Sequence, residues 1–150
     1  MQVTKIISGG QTGIDQLGLK VAKELGIPTG GTAPKGFRTE LGPYLSLRDE
    51  YNLVESIYSD YGPRTKDNVL DSDGTVVFSE IGSAGSRLTI SCARIANKPY
   101  ILNPDANELR DWLIEHNIKT LNVAGNRGNN LTTSKLLEFR NILREALSDQ

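Results

Sequence analysis

The 150-residue chain holds only one cysteine, one histidine, one tryptophan and one methionine. A lone Cys92 excludes an internal disulfide. With no Cys-x-x-Cys or His-x-x-His spacing in the sequence, a zinc site is excluded as well, and a reducing compartment is expected. The single His116 rules out a histidine pair, and near the end of a predicted helix it reads as a solvated residue, not a general base. No apolar run approaches the roughly 20 residues of a membrane span, and the opening Met-Gln-Val-Thr-Lys-Ile-Ile is too short for a secretory signal. The expectation is a cytoplasmic protein that touches no membrane. Neither sign of charge prevails: 17 basic and 18 acidic residues leave a net charge of −1, without the positive field of a protein that coats nucleic acid.

Glycine, by contrast, is plentiful, and it clusters. Ser8-Gly9-Gly10-Gln11-Thr12-Gly13 follows the apolar run Val3 to Ile7 and opens a helical pattern carried by Ile14, Leu17, Val21 and Leu25, which Gly26 stops. Similar junctions stand at Gly82-Ser83-Ala84-Gly85-Ser86-Arg87 and at Gly125-Asn126-Arg127-Gly128. A strand-to-helix turn rich in glycine lets the backbone approach an anion, and the free N–H groups of the helix start add positive potential. The first junction lacks the G-x-G-x-x-G spacing of a dinucleotide fingerprint, and it lacks the Lys-Ser or Lys-Thr of a P-loop. Gln11 and Thr12 add side-chain donors there. Asp15 either complements the helix start or contacts a ligand amine or hydroxyl.

Strand candidates at 3–8, 27–33, 75–79, 100–102 and 120–124 alternate with helical patterns at 14–25, 64–70, 86–96, 107–116 and 131–147. This alternation predicts one α/β domain over residues 1–150, with a doubly wound parallel sheet and helices on both faces. All strand carboxyl ends then meet at one edge, which gathers the three junctions into a single pocket. Residues 34–63 show no clear period, apart from an extra strand candidate near 53–58. Their Phe37, Tyr44, Tyr51, Tyr58 and Tyr61 point to a subunit interface or a pocket cover. Cys92 falls on an apolar helix face as a packed thiol. No residue set reads as catalytic and none as a metal site. Arg38, Arg87 and Arg127 stand out as anion-binding candidates by charge and placement.

Ser8-Gly9-Gly10-Gln11-Thr12-Gly13-Ile14-Asp15, Gly30 to Gly36, Asp71-Ser72-Asp73-Gly74-Thr75 and Leu121 to Gly125 together resemble the molybdenum cofactor carrier family, and the resemblance runs through most of the chain. That family is similar to the wider LOG-type, lysine-decarboxylase-like Rossmann-like proteins. The resemblance implies a homo-oligomeric carrier, not an enzyme, that holds and protects the molybdenum cofactor and passes it to molybdoenzymes. The cofactor is a pterin with a dithiolene, an oxo-molybdenum and a terminal phosphate; molybdate, tungstate or another oxyanion would suit the same cradle. By motif, the implied contacts are Gly9, Gly10, Gln11, Thr12, Lys35, Ser83, Gly85, Ser86, Thr89, Gly125 and Asn126, to which charge adds Arg87. LOG-type phosphoribohydrolases carry P-G-G-x-G-T-x-x-E, and here Thr89 stands where that motif has its acid, so hydrolysis loses its carboxylate unless Glu80 replaces it. A nucleotide phosphoribohydrolase and a nucleotide-sensing module are the alternative readings.

Overall fold

The computed structural model describes residues 3–80 and 84–148. β1 (Lys5–Ile7) leads through α1 (Ile14–Glu24) to β2 (Thr29–Gly30). A run of short pieces follows: β3 (Thr32–Ala33), β4 (Arg38–Thr39), β5 (Gly42–Pro43), α2 (Ser46–Asp49) and β6 (Val54–Glu55). The chain then alternates regularly through α3 (Tyr61–Leu70), β7 (Gly74–Phe78), α4 (Ala84–Ile95), β8 (Tyr100–Leu102), α5 (Ala106–Glu115), β9 (Thr120–Gly125) and α6 (Thr133–Ser148).

Five parallel strands form the central sheet in the order β2-β1-β9-β7-β8, so the last strand of the chain occupies the middle. Taking β9 as the first strand, followed by β1, β2, β7 and β8, turns this order into 3-2-1-4-5, that of a doubly wound sheet. Side-chain alternation on the central strands sends Val76, Phe78, Leu121 and Val123 to one face. They pack there against Leu17 and Val21 of α1, Leu109, Trp112 and Leu113 of α5, and Phe139 and Leu143 of α6. The Phe78 and Phe139 rings lie 4.9 Å apart. Thr75 and Asn122 point the other way and hydrogen-bond at 3.2 Å, on the side that α3 and α4 cover.

α1 approaches β9 closely because Gly18 has no Cβ; one built there would stand 2.7 Å from the Val123 Cβ. α5 begins in a reciprocal cap. Glu108 N–H donates to the Asp105 carboxylate at 2.8 Å, and Asp105 N–H donates to the Glu108 carboxylate at 3.0 Å.

The strand expected over 27–33 is split in two. Gly31, at φ +125°, turns the chain out of the sheet, and a Cβ there would lie 2.2 Å from the Ser8 carbonyl oxygen. β2 therefore pairs with β1, whereas β3 pairs in parallel with β6, which falls within the extra strand expected near 53–58. Part of the aromatic segment 34–63 is used within the chain. Phe37, Leu47, Tyr51 and Leu53 bury themselves with Leu19 and Ala33 in a second small core, with Tyr44 packed against it. α3 starts at Tyr61, three residues before the expected position, with Pro63 tolerated in its first turn. Among the described residues no helix is long and apolar enough to cross a membrane.

Candidate functional site

The carboxyl ends of β1 and β9 meet the start of α3 and the first turns of α4 around a cleft of about 240 Å³. This is the crevice at the sheet's switch point, where open α/β sheets bind ligands. Gln11, Asp15, Tyr61, Arg64, Thr89 and Arg127 supply its functional groups, and Gly85, Ala124 and Gly125 form much of its backbone wall.

Arg64 is the centre of the site. Its guanidinium donates to the Asp15 carboxylate at 3.2 Å, and both side chains are nearly removed from water. The same carboxylate oxygen accepts the Gln11 N–H at 3.2 Å. Burial pushes the Asp15 carboxyl up from its ordinary range, opposed by the charges of Arg64 and Arg127 and by the Gln11 amide. Asp15 is thus the buried counter-ion of Arg64. Gly9 exists for the same contact, because a Cβ there would overlap the Arg64 guanidinium; one on Gly10 would stand 2.6 Å from Leu47. The room these glycines leave is taken by protein side chains.

Gln11 is 4% exposed. Its Oε1 accepts from the backbone N–H of Thr12 at 3.1 Å and of Glu40 at 2.8 Å, which fixes the amide with Nε2 directed away from those partners. Among the described residues Gln11 Nε2 and Arg64 Nε are buried donors without acceptors. Such donors cost stability unless something accepts from them. Thr12 is committed elsewhere: its hydroxyl donates to Glu40 and accepts the Gly128 N–H at 3.2 Å.

Of the residues expected to bind, Gln11, Gly85, Thr89 and Gly125 line the cleft. Gly9, Gly10 and Thr12 stand behind it. The buried Ser86 and the exposed Arg87 lie in the first turns of α4 outside the lining, and the Thr89 hydroxyl donates to the Gly85 carbonyl at 3.0 Å. Asn126 serves as a strut: its side-chain oxygen accepts the Glu80 N–H at 2.6 Å, its N–H reaches the Phe78 carbonyl and its own carbonyl accepts from Ile14. Lys35 is exposed on the turn Lys35–Phe37, away from the lining. Ser83 lies outside the described residues.

Arg64 was not among the residues expected to bind, and Tyr61 was expected in the aperiodic segment 34–63. The guanidinium carbons of Arg127, Arg38 and Arg64 lie 4.8, 5.0 and 5.5 Å from the Tyr61 ring centroid. The available signal was Tyr61-x-x-Arg64, two residues that share a face once α3 is begun at Tyr61. Glu80 faces a different groove with Asn103, Asp105 and Glu108, so Asp15 is the cleft's carboxylate. Cys92 is half-buried, with its thiol pushed up by burial. Among the described residues no three His, Cys, Asp or Glu side chains could hold a metal ion.

No match was found among curated proteins. The chain is similar to the crystal structure of a candidate molybdenum carrier protein from Syntrophus aciditrophicus SB, with 39% identity and a TM-score of 0.77, covering 97% of this chain and 92% of that one. The pattern of the circularly permutated YpsA SLOG family matches residues 6–143, and the central position of the last strand is what a permuted order produces. This chain therefore belongs to the circularly permutated YpsA SLOG family.

Proposed function

We propose that this protein binds and holds a phosphorylated pterin, the molybdenum cofactor, and carries it to molybdoenzymes without chemical turnover. The observation that carries this reading is the pair of buried donors without acceptors, Gln11 Nε2 and Arg64 Nε, beside a cleft lined by two guanidiniums and one tyrosine ring. Donors of this kind match an oxyanion, and an aromatic face matches a flat heterocycle. Arg64, Arg127 and Gln11 would hold the phosphate or oxo groups; Tyr61 and the Gly125 backbone would flank the ring. The similarity to a candidate molybdenum carrier supports the same cargo. A cytoplasmic homo-oligomer fits this role, and the exposed Leu41, Ile57 and Ile95 supply apolar surface for assembly.

The test is retention of cofactor released from a molybdoenzyme. The purified chain should keep it on ultrafiltration and preserve its capacity to reconstitute an apo-molybdoenzyme; loss at the rate seen in buffer overturns the proposal. Gln11→Glu keeps the acceptor that binds Thr12 and Glu40 but replaces the free donor with negative charge, so retention should fall at least ~10-fold while the fold persists.

A nucleotide phosphoribohydrolase needs a carboxylate poised over the glycosidic bond. Thr89 occupies the position expected of it, Glu80 faces another groove, and Asp15 is tied to Arg64. Nucleoside monophosphates should therefore yield no free base, as chromatography of the reaction mixture would reveal.

A further inference from the structure

Glu40 stands outside the cleft lining, yet it ties together the segments that build the site. It sits in the turn between β4 and β5, where Arg38 pairs with Pro43 and Thr39 with Gly42. The Thr39 hydroxyl braces that turn, donating to the Gly42 carbonyl at 2.7 Å and accepting the Leu41 N–H at 3.1 Å. From this tip the Glu40 carboxylate accepts from the Thr12 hydroxyl and, at 3.4 Å, from the Asn129 N–H. It thereby joins the glycine turn before α1 to the turn Gly128–Asn130. The Glu40 N–H donates to Gln11 Oε1 at 2.8 Å. That last contact decides which way the Gln11 amide faces. Nε2 is a buried donor without an acceptor, which costs free energy and favours any other orientation. Turning the amide over would set Nε2 against the N–H groups of Thr12 and Glu40, donor facing donor. With Glu40 withdrawn, only the N–H of the adjacent Thr12 would oppose the turn.

We infer that Glu40 is a positioning residue. Its carboxylate docks the β4–β5 turn so that its own N–H keeps the Gln11 donor directed at the cleft, and ligand affinity depends on the length of the Glu40 side chain, not on its charge. This rests on the cleft being a ligand site. The two roles open to a carboxylate near an anion site differ in sign. One that acted by charge would repel the anion, so its removal would tighten binding; one that holds Gln11 in place weakens binding when it is lost. Glu40 is half-buried at a hairpin tip and belongs to neither hydrophobic core, so it can be replaced without opening either.

Two measurements on the full chain test this: calorimetric titration with a pterin methyl phosphate, and the nuclear magnetic resonance order parameter of the Gln11 side-chain amide in the ligand-free protein. Glu40→Ala and Glu40→Asp should each weaken binding ~10-fold and loosen the amide. Glu40→Gln keeps the length and an acceptor for Thr12 and Asn129, so it should restore both. Because Glu40 acts through Gln11, Glu40→Ala should cost nothing further in a Gln11→Ala background. Should Glu40→Ala lose the circular dichroism of the parent, Glu40→Asp decides by the same readings. An amide equally rigid in the shortened variants overturns the inference and leaves the carrier reading intact. So does a gain of affinity in them, or a loss that persists undiminished in the Gln11→Ala background. Failure of the parent to bind the pterin phosphate at millimolar concentration overturns both.

Discussion

Asp15 carries the sharpest pH consequence of any single residue. Its carboxyl titrates higher in the folded chain than in the unfolded one, so across the interval between those two values the native state binds more protons. The contribution of Asp15 to stability is then greatest below the ordinary carboxylate range and declines as pH rises through the interval, by at most about 1.4 kcal/mol per pH unit for one group. Asp15→Asn should abolish that decline. Urea midpoints measured from pH 3.5 upward would decide it, and an unchanged slope in the variant would place the effect in another group. At this scale the sequence exposed Gln11 and Asp15 because both flank a glycine turn whose geometry is local. Arg64 was hidden because its partner stands 49 positions away, a relation that only the folded chain creates.

Among elements, the most legible were those with local causes. α5 has its cap written in Asp105 and Glu108, and Asp105→Ala should cost about 1 kcal/mol in a denaturant titration, with Asp105→Ser recovering most of it. The α1 stripe was equally plain, yet the tightness of its packing was not. Gly18→Ala raises helix propensity and would stabilise an exposed helix; here the added methyl meets the branched Val123 carbon, and the expected net result is a loss of about 1–3 kcal/mol, read from the same urea curves. A gain would mean that α1 can move away from β9. The segment between β2 and α3 was hard to read because its pieces are too short to show a period, and Tyr44 and Tyr51 belong to a second core that also needs Leu19 of α1.

For the whole molecule, alternation announced the layers and the shared sheet edge, but nothing local encodes which strand lies in the centre. β9 pairs with β1 on one side and β7 on the other. Val3, Thr4, Leu147 and Ser148 line one shallow hollow, so the two ends of the described chain are near each other. Linking them with a short flexible peptide and opening the chain between His116 and Asn117 would put β9 first. Such a permutant should fold to the same far-ultraviolet and near-ultraviolet circular dichroism as the parent, because it keeps every strand pairing of the sheet. A molten product would show that the present order is required. The same placement governs how the chain is made: until residues 120–125 leave the ribosome, the β2-β1 and β7-β8 pairs have no ladder joining them, and each presents a bare apolar edge. Nearly all of the described chain must therefore be synthesised before its nascent halves can lock.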